Sequence, residues 1–355
     1  MSSSMELMNR LMAFVPADLK ATIRTSFTQL RTLYEMDRHF ELSDLFDSIV
    51  EQCHLALDQL SREPPSALRA SDEASPEVVV NFIPSDLGIR LVLEQLKSSE
   101  MYLDSKEKTS SGRSLLSDVE NHSTWTATSS VNASGHGTYY RAEQGVNSHS
   151  FKVVGVVDQG MNTMASVLIE LDMYKEWFPF CNLSEEAGSP HRFHKYGRFA
   201  IHLPWPMANR EVFLSGYGID HLLENKVIIC ATSVDEREKL PSCVTYMPPK
   251  KGNVVALLRR GGFVLEAISQ WQTKVSFVMN VDPQLKSIPM PLINWVSGKM
   301  IWVLLHQMEK AAREGNKKDS KYAIRRRTRP ELYGYLAQRA LNVFGWVDDD
   351  FTVQQ

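Results

Sequence analysis

The chain has 355 residues, 43% of them hydrophobic and 23% charged, with a formal net charge of −3. That balance is a globular protein's and leaves room for one large domain with a smaller one beside it. It gives no basic footprint for nucleic acid, the N-terminus MSSSMELMNR has no signal-peptide apolar core, and no run of about 18 apolar residues predicts a membrane span.

Residues 17–60 have helical spacing, first in Ile23, Phe27, Leu30 and Tyr34, then in Leu42, Leu45, Phe46, Ile49, Val50 and Cys53. They predict an N-terminal helical hairpin over 1–60. One hairpin cannot bury its own apolar face, so it packs on the rest of the chain or on a protein partner. Residues 61–84 have a linker's composition. A further helix follows, with Ser85 as N-cap and Ile89, Val92, Leu93 and Leu96 on one face. From Lys106 to Gly137 the chain is rich in Ser and Thr, with a first part expected to be exposed and an edge strand expected to begin at Trp125, Thr126 and Thr128. Strands are predicted over 138–142 and 148–157, joined by a turn at Gly145–Asn147. Residues 161–171 switch to a helical period through Met161, Met164, Leu168 and Leu171, and an aromatic stretch from Tyr174 to Phe180 follows. Strands then succeed one another over 181–187, 192–203, 210–220, 226–235, 253–268 and 271–282, with turns short enough for an antiparallel meander. Pro289 and Pro291 end the extended chain. From Leu292 to Gly315 a helix of roughly 35 Å is predicted, with Ile293, Val296, Met300, Leu304, Met308 and Ala311 on one face. Its apolar surface is wide enough to be covered on two sides. Residues 316–355 add a basic segment, a helix over Pro330–Phe344 and an acidic tail.

This order predicts an α+β protein with a helix-grip fold, a curved antiparallel sheet wrapped on a long C-terminal helix that closes an apolar cavity, with an added N-terminal helical segment. Four motifs carry a resemblance beyond that. They are Leu171-Asp-Met-Tyr-Lys-Glu-Trp177, Leu203-Pro-Trp-Pro-Met-Ala-Asn-Arg-Glu211, Gly261-Gly-Phe-Val-Leu-Glu266, and Val281-Asp-Pro with Ile288-Pro and Leu292-Ile-Asn294. In that order they resemble the START (steroidogenic acute regulatory protein-related lipid transfer) domain, over 85–315 with a core of about 120–315. Leu292-Ile-Asn-Trp295 is nearest to the phosphatidylcholine-transfer branch. Tyr174 stands where that branch carries an arginine used on the lipid phosphate, so the resemblance carries no choline-lipid specificity.

The resemblance implies a non-enzymatic domain that holds one lipid or similar apolar ligand, without a cofactor, and exchanges it at a membrane through a gate formed by the last helix and nearby loops. The ligand-binding residues it implies are Tyr174, Trp177, Phe199, Ile201, Leu203, Val212, Leu214, Val296 and Met300. Strand alternation puts Phe199, Ile201 and Leu203 on one face and Val212 and Leu214 on another, which also suits ordinary core. Alignment with the family's strand turns Arg259 inward, toward a ligand anion or an internal acid; a bulge at Gly261-Gly262 would instead send it to water. Arg210 and Glu211 read as structural, the arginine tied to a neighbouring acid.

Trp205, held between prolines at a loop tip beside Met207, and Met290 in the loop ahead of the last helix, are candidates for membrane docking or gating. The basic residues between Lys317 and Arg329 suit an anionic bilayer, a nuclear address or a solvated segment. His191 and His194 lack further ligands, and no metal is assigned. Cys53, Cys181, Cys230 and Cys243 form no CxxC pair and suit a reducing compartment, so the expected location is cytoplasmic. Two alternatives stand beside lipid carriage. One is a lipid-sensing or scaffold protein. The other is a cyclase-like enzyme using Tyr196, His202, Glu211 and Arg259.

Overall fold

From residue 181 onward segments separated by turns pair as strands, and the chain turns back on itself after each. The computed structural model describes residues 15–62, 85–128, 136–143, 148–285, 301–348 and 350–351, with positions 12, 146, 291 and 296. The expected turn at Gly145–Asn147, most of the 61–84 linker, and Met290, Ile293 and Met300 lie outside the described residues.

The chain divides between Ser110 and Ser111 into two units. The first holds α1 (Ala17–Glu35), α2 (His39–Arg62), α3 (Ser85–Lys97) and the first half of α4 (Glu100–Glu120). Ile23, Leu30, Leu42, Phe46 and Ile49 of the hairpin pack with Ile89, Val92 and Leu96 of α3 in one core. The helix after the linker therefore serves the N-terminal unit, whereas the sequence placed it with the domain beginning at residue 85. α4 departs from expectation. Its Ser- and Thr-rich sequence hides a helix because its buried face is partly polar: Thr109 donates to the carbonyl of His39 at 2.8 Å, and buried Lys108 pairs with Asp104 one turn away at 2.9 Å.

In the second unit, β1 (Thr126–Ala127), β2 (Gly137–Ala142) and β3 (His149–Val157) precede α5 (Met161–Ile169), a 3-10 turn at Leu171–Met173 and the short α6 (Tyr174–Trp177). Then come β4 (Cys181–His191), β5 (His194–Ile201), β6 (Arg210–His221), β7 (Lys226–Ser233), β8 (Val254–Val255), β9 (Leu257–Ser269) and β10 (Gln272–Asp282). The sheet order is β1-β2-β3-β10-β9-β7-β6-β5-β4, antiparallel throughout, with β8 lying parallel to the start of β6. It is thus a meander from β4 to β10, onto whose last strand the earlier β3 pairs.

Close approach of β9 to β7 depends on Gly262, whose φ is +146°. A Cβ there would lie 1.8 Å from the carbonyl oxygen of Ile229. The described part of the last long helix, α7 (Ile301–Gly315), crosses the sheet at Gly155, where a Cβ would meet Leu305 at 2.4 Å. Leu304, Met308, Ala311 and Ala312 of α7 join Phe151, Val153, Phe263 and Phe277 in the core.

α8 (Lys321–Thr328), capped by Ser320, and α9 (Tyr333–Phe344) continue the same core through Tyr322, Leu332, Tyr333 and Leu336. Much of the basic stretch is engaged by acids, while Lys317, Lys318, Lys321 and Arg327 stay exposed. Lys321 pairs with Glu176, Arg325 with Glu170 and Asp172, Arg326 and Arg327 with Asp350, and Arg329 with Glu170.

Gly262→Ala is expected to lower unfolding stability by at least about 3 kcal/mol, because backbone rather than a movable side chain meets the methyl. Gly216→Ala, whose Cβ would meet nothing closer than 3.7 Å, is the control that stays near wild type in urea denaturation.

Candidate functional site

The concave side of the sheet is apolar but not filled. Cross-strand pairing sets Phe199 opposite Val212 and Gly197 opposite Leu214, so β5 and β6 present one continuous apolar face. That face, with Leu203 beyond the end of β5, borders a cavity of about 220 Å³. Ile201, Phe277, Met279, Val281 and Val296 also border it. Tyr174 and Phe178 complete the wall from the aromatic turn, with rings stacked at 5.7 Å. Tyr174's hydroxyl donates to the carbonyl of Leu168 at 2.5 Å, and burial pushes its pKa far above the usual tyrosine range. Its polar end is therefore satisfied inside the protein, and its ring is what the cavity meets.

Of the expected ligand-binding residues, Tyr174, Phe199, Ile201, Leu203, Val212, Leu214 and Val296 come together around this volume. Met300 lies outside the described residues. Trp177 is not on the wall. It is buried behind Tyr174, edge-on at 5.0 Å, and packs in the core. Phe178, the next residue, takes the place on the wall expected for Trp177. The sequence signal was the aromatic run itself, without a means of choosing between neighbours.

Arg259 also departs from the inward orientation. Its side chain is 47% exposed and reaches Asp282 at 3.5 Å. The register of β9 on β10 shifts here: Asn280 faces Arg260 and Val281 faces Leu258, so Arg259 is the extra residue of a bulge. The bulge lies earlier than Gly261-Gly262. The buried cations on the cavity wall are instead Lys195 and Arg210, of which Arg210 belongs to the motif. Arg210 is tied not to an acid, as its motif suggested, but to two backbone carbonyls, those of Pro283 and Ala208, both at 2.6 Å.

At the same end His149 borders the cavity, its Nδ1 in a hydrogen bond with the Tyr140 hydroxyl at 2.7 Å. Burial lowers its pKa, with Asp282 opposing. At the C-terminal end of α5 a second polar cluster is closed on itself. Fully buried Glu170 accepts from Lys195, Arg325, Arg329 and Tyr333. Burial would raise its pKa, and these cations and the tyrosine hold it below the usual carboxylate range. Glu170, Asp172 and Glu186 approach one another as metal ligands do, yet their oxygens are taken by Lys195 and Arg325. His194, one of the two histidines considered for metal, bonds Ser215 through Nε2 at 2.7 Å.

The groups considered for acid–base chemistry do not converge. Tyr196 stacks on His194, exposed His202 bonds Asn209, Arg259 faces water, and Glu211 accepts from the Lys250 amide and the Asn253 side chain.

Trp205 is 91% exposed, with Met207 half-buried beside it. The same region of the surface is extended by β8, which joins this loop through the Val254 amide and the Asn209 carbonyl at 3.0 Å. Val254, Val255 and Leu257 are exposed there, with exposed Lys250 and Lys251 just ahead of them. No helix among the described residues is long and apolar enough to cross a membrane.

A curved antiparallel sheet with a long helix packed across it and an apolar cavity bordered by its strands is the architecture of the helix-grip class. Within that class the chain is similar to the solved structure of human STARD10, at 20% identity over 63% of this chain and 85% of that one, with a TM-score of 0.50. It is similar also to human StAR-related lipid transfer protein 5, at 12% identity over 61% of this chain and 99% of that one, with a TM-score of 0.51. The fold is therefore that of the StAR-related lipid transfer (START) domains. No family model and no curated protein matches the sequence.

The lowered pKa of His149 has a consequence for stability. The folded state takes up this proton less readily than the unfolded chain, so the stability His149 contributes is present above about pH 6.5 and lost as pH falls through its lower folded value. Glu143 and Glu170, also lowered, act in a separate window below their usual 4.5. Tm should fall from about pH 6.5 toward pH 5, and His149→Gln, which keeps a hydrogen-bond partner for Tyr140, should make that fall shallower. His122, lowered in the same sense, leaves part of the slope in place.

Proposed function

We propose that the second unit binds one apolar or amphipathic lipid in this cavity without chemical change and carries it between membranes as a peripheral, cytoplasmic protein. The observation that carries the reading is the volume of about 220 Å³ bounded almost wholly by apolar side chains on a fold shared with proteins named for lipid transfer. An ordinary core packs such residues against one another without voids. Here Val212 and Leu214 are only partly buried although they point into the unit, because their neighbours stand back from them. The volume lies below the range of about 300–1,000 Å³ typical of drug-sized ligand sites. It suits a compact or single-chain ligand without rearrangement.

Each CH₂ withdrawn from water contributes about 0.8 kcal/mol, so an 18-carbon chain corresponds to about 14 kcal/mol. Release into water is correspondingly slow. Exchange is favourable where the chain passes from one dry place to another, at a bilayer surface. Trp205, Val254, Val255 and Leu257 supply the apolar contact, and Lys250 and Lys251 the attraction to anionic headgroups.

Two substitutions separate holding from delivery. Val212→Trp fills the cavity and should abolish uptake of a fluorescent fatty-acyl probe; undiminished uptake would place the ligand elsewhere. Trp205→Ala should slow vesicle-to-vesicle transfer several-fold more than it weakens probe binding. Equal transfer rates would leave the sensing alternative, constant occupancy without carriage, in its place.

A further inference from the structure

The cations around the cavity differ in how their charge is balanced. Lys195, on the wall, holds its ammonium between Glu170 and Glu186 at 2.8 and 2.7 Å. Arg259 and Arg260, outside the wall, reach Asp282 and Asp118. Arg210 has no such partner. It is 6% exposed, and no carboxylate oxygen among the described residues lies within 4.0 Å of it. Its neighbours in sequence and space do not offer one. Glu211 points to the other face of β6 and is held by Lys250 and Asn253. Asp282 accepts from the Gln284 amide and faces Arg259. The segments 202–209 and 283–300 contain no Asp or Glu.

Strand alternation fixes where this charge points. Arg210 shares its face of β6 with Val212 and Leu214 and sits opposite Ile201, all three of them on the cavity wall. The Pro283 carbonyl holds Nε and the Ala208 carbonyl holds Nη1, which orients the planar guanidinium. Nη2 has no protein partner among the described residues. Burial pushes the pKa of Arg210 down and no acid restores it. A buried guanidinium is nevertheless always charged and is matched in shape to the two oxygens of a carboxylate or phosphate. An uncompensated buried charge is strongly unfavourable, and a bound anion would relieve it.

We propose that Arg210 is an anion-recognising group at one end of the cavity, and that the ligand is an amphiphile whose carboxylate or phosphate headgroup bonds Nη2 while its chain lies along Phe199, Val212 and Leu214. The proposal rests on the lipid-cavity reading above and adds to it the charge of the ligand's head.

The test compares three probes with the same 18-carbon chain: oleic acid, 1-oleoyl lysophosphatidic acid and oleyl alcohol. Each is titrated into the full-length protein below its aggregation concentration, at about pH 8 so that both acids are ionised. A charge-assisted hydrogen bond predicts that wild type binds at least one of the acids about tenfold or more tighter than the alcohol. Preference for oleic acid identifies a carboxylate headgroup, and preference for the phosphate probe a phosphate headgroup. In Arg210→Met the ratio of acid to alcohol affinity should fall to near unity. Arg210→Lys, a point charge that cannot hold two carbonyls and a headgroup together, should give an intermediate ratio. If the methionine variant does not fold, the wild-type preference and the lysine variant decide. A wild type that binds the alcohol as tightly as both acids overturns the proposal while leaving the lipid-cavity reading intact. So does a preference that survives removal of the arginine. Uptake of none of the three probes overturns both.

Discussion

An unfilled apolar volume inside a folded protein is unfavourable, and the second unit is built around one. At about 24 cal/mol per Å³, a cavity of about 220 Å³ corresponds to roughly 5 kcal/mol of forgone packing. That is comparable to the whole net stability of many domains. Two requirements follow. The sheet must be stiff enough not to collapse into the space, and something other than core packing on its concave side must supply stability. Continuous antiparallel pairing from β4 through β7, β9, β10 and β3 to β1 meets the first. Close backbone approach at Gly262 belongs to the same device, since a sheet that tightly apposed cannot slide or flatten there.

The second requirement is met around α5. α5 has the sheet, α7, α8 and α9 around it, so its side chains are buried nearly all round. At its C-terminal end Glu170 gathers Lys195 of β5 with Arg325, Arg329 and Tyr333 of the C-terminal segment. Arg326 extends the arrangement, bonding Ser166, the Gly315 carbonyl and Asp350. Buried ion pairs of this kind contribute less net stability than their number suggests, because each charge is first removed from water. They do discriminate against misplacement. A C-terminal segment docked one turn away would leave Glu170 buried beside fewer cations.

Much of this was legible in the sequence because period and burial coincide. β5 and the first half of β6 alternate in burial, and the motifs around Leu171, Leu203 and Val281 come in the order of the elements that carry them. Alternation grouped the wall residues of β5 and β6 on shared faces, and the resemblance supplied which face meets a cavity. What was not legible has identifiable causes. α4 escaped because its buried side chains include Ser105, Lys108 and Thr109, which carry no hydrophobic period. Arg259 was assigned to the wrong side because a one-residue bulge reverses facing, and nothing in a run of apolar residues followed by two arginines marks where the extra residue falls. Arg210 was read as tied to an acid because a buried arginine usually is, whereas here the carbonyls of Pro283 and Ala208, distant and near in sequence, take that place. The basic stretch after 316 was legible as charge but not as partners, since its acids lie at 170, 172, 176 and 350.

Tyr174 spends its hydroxyl on Leu168 and turns only its ring to the cavity. Along most of its length the wall therefore has no hydrogen bond to give and none to lose. A surface of that kind sets no register. A chain against it can slide by a carbon, kink at a double bond or stop short at similar cost, provided that the girth fits. On the proposed lipid-binding reading, selectivity along the cavity is then a matter of calibre rather than of composition, and its occupants are a family of chain lengths rather than a single species.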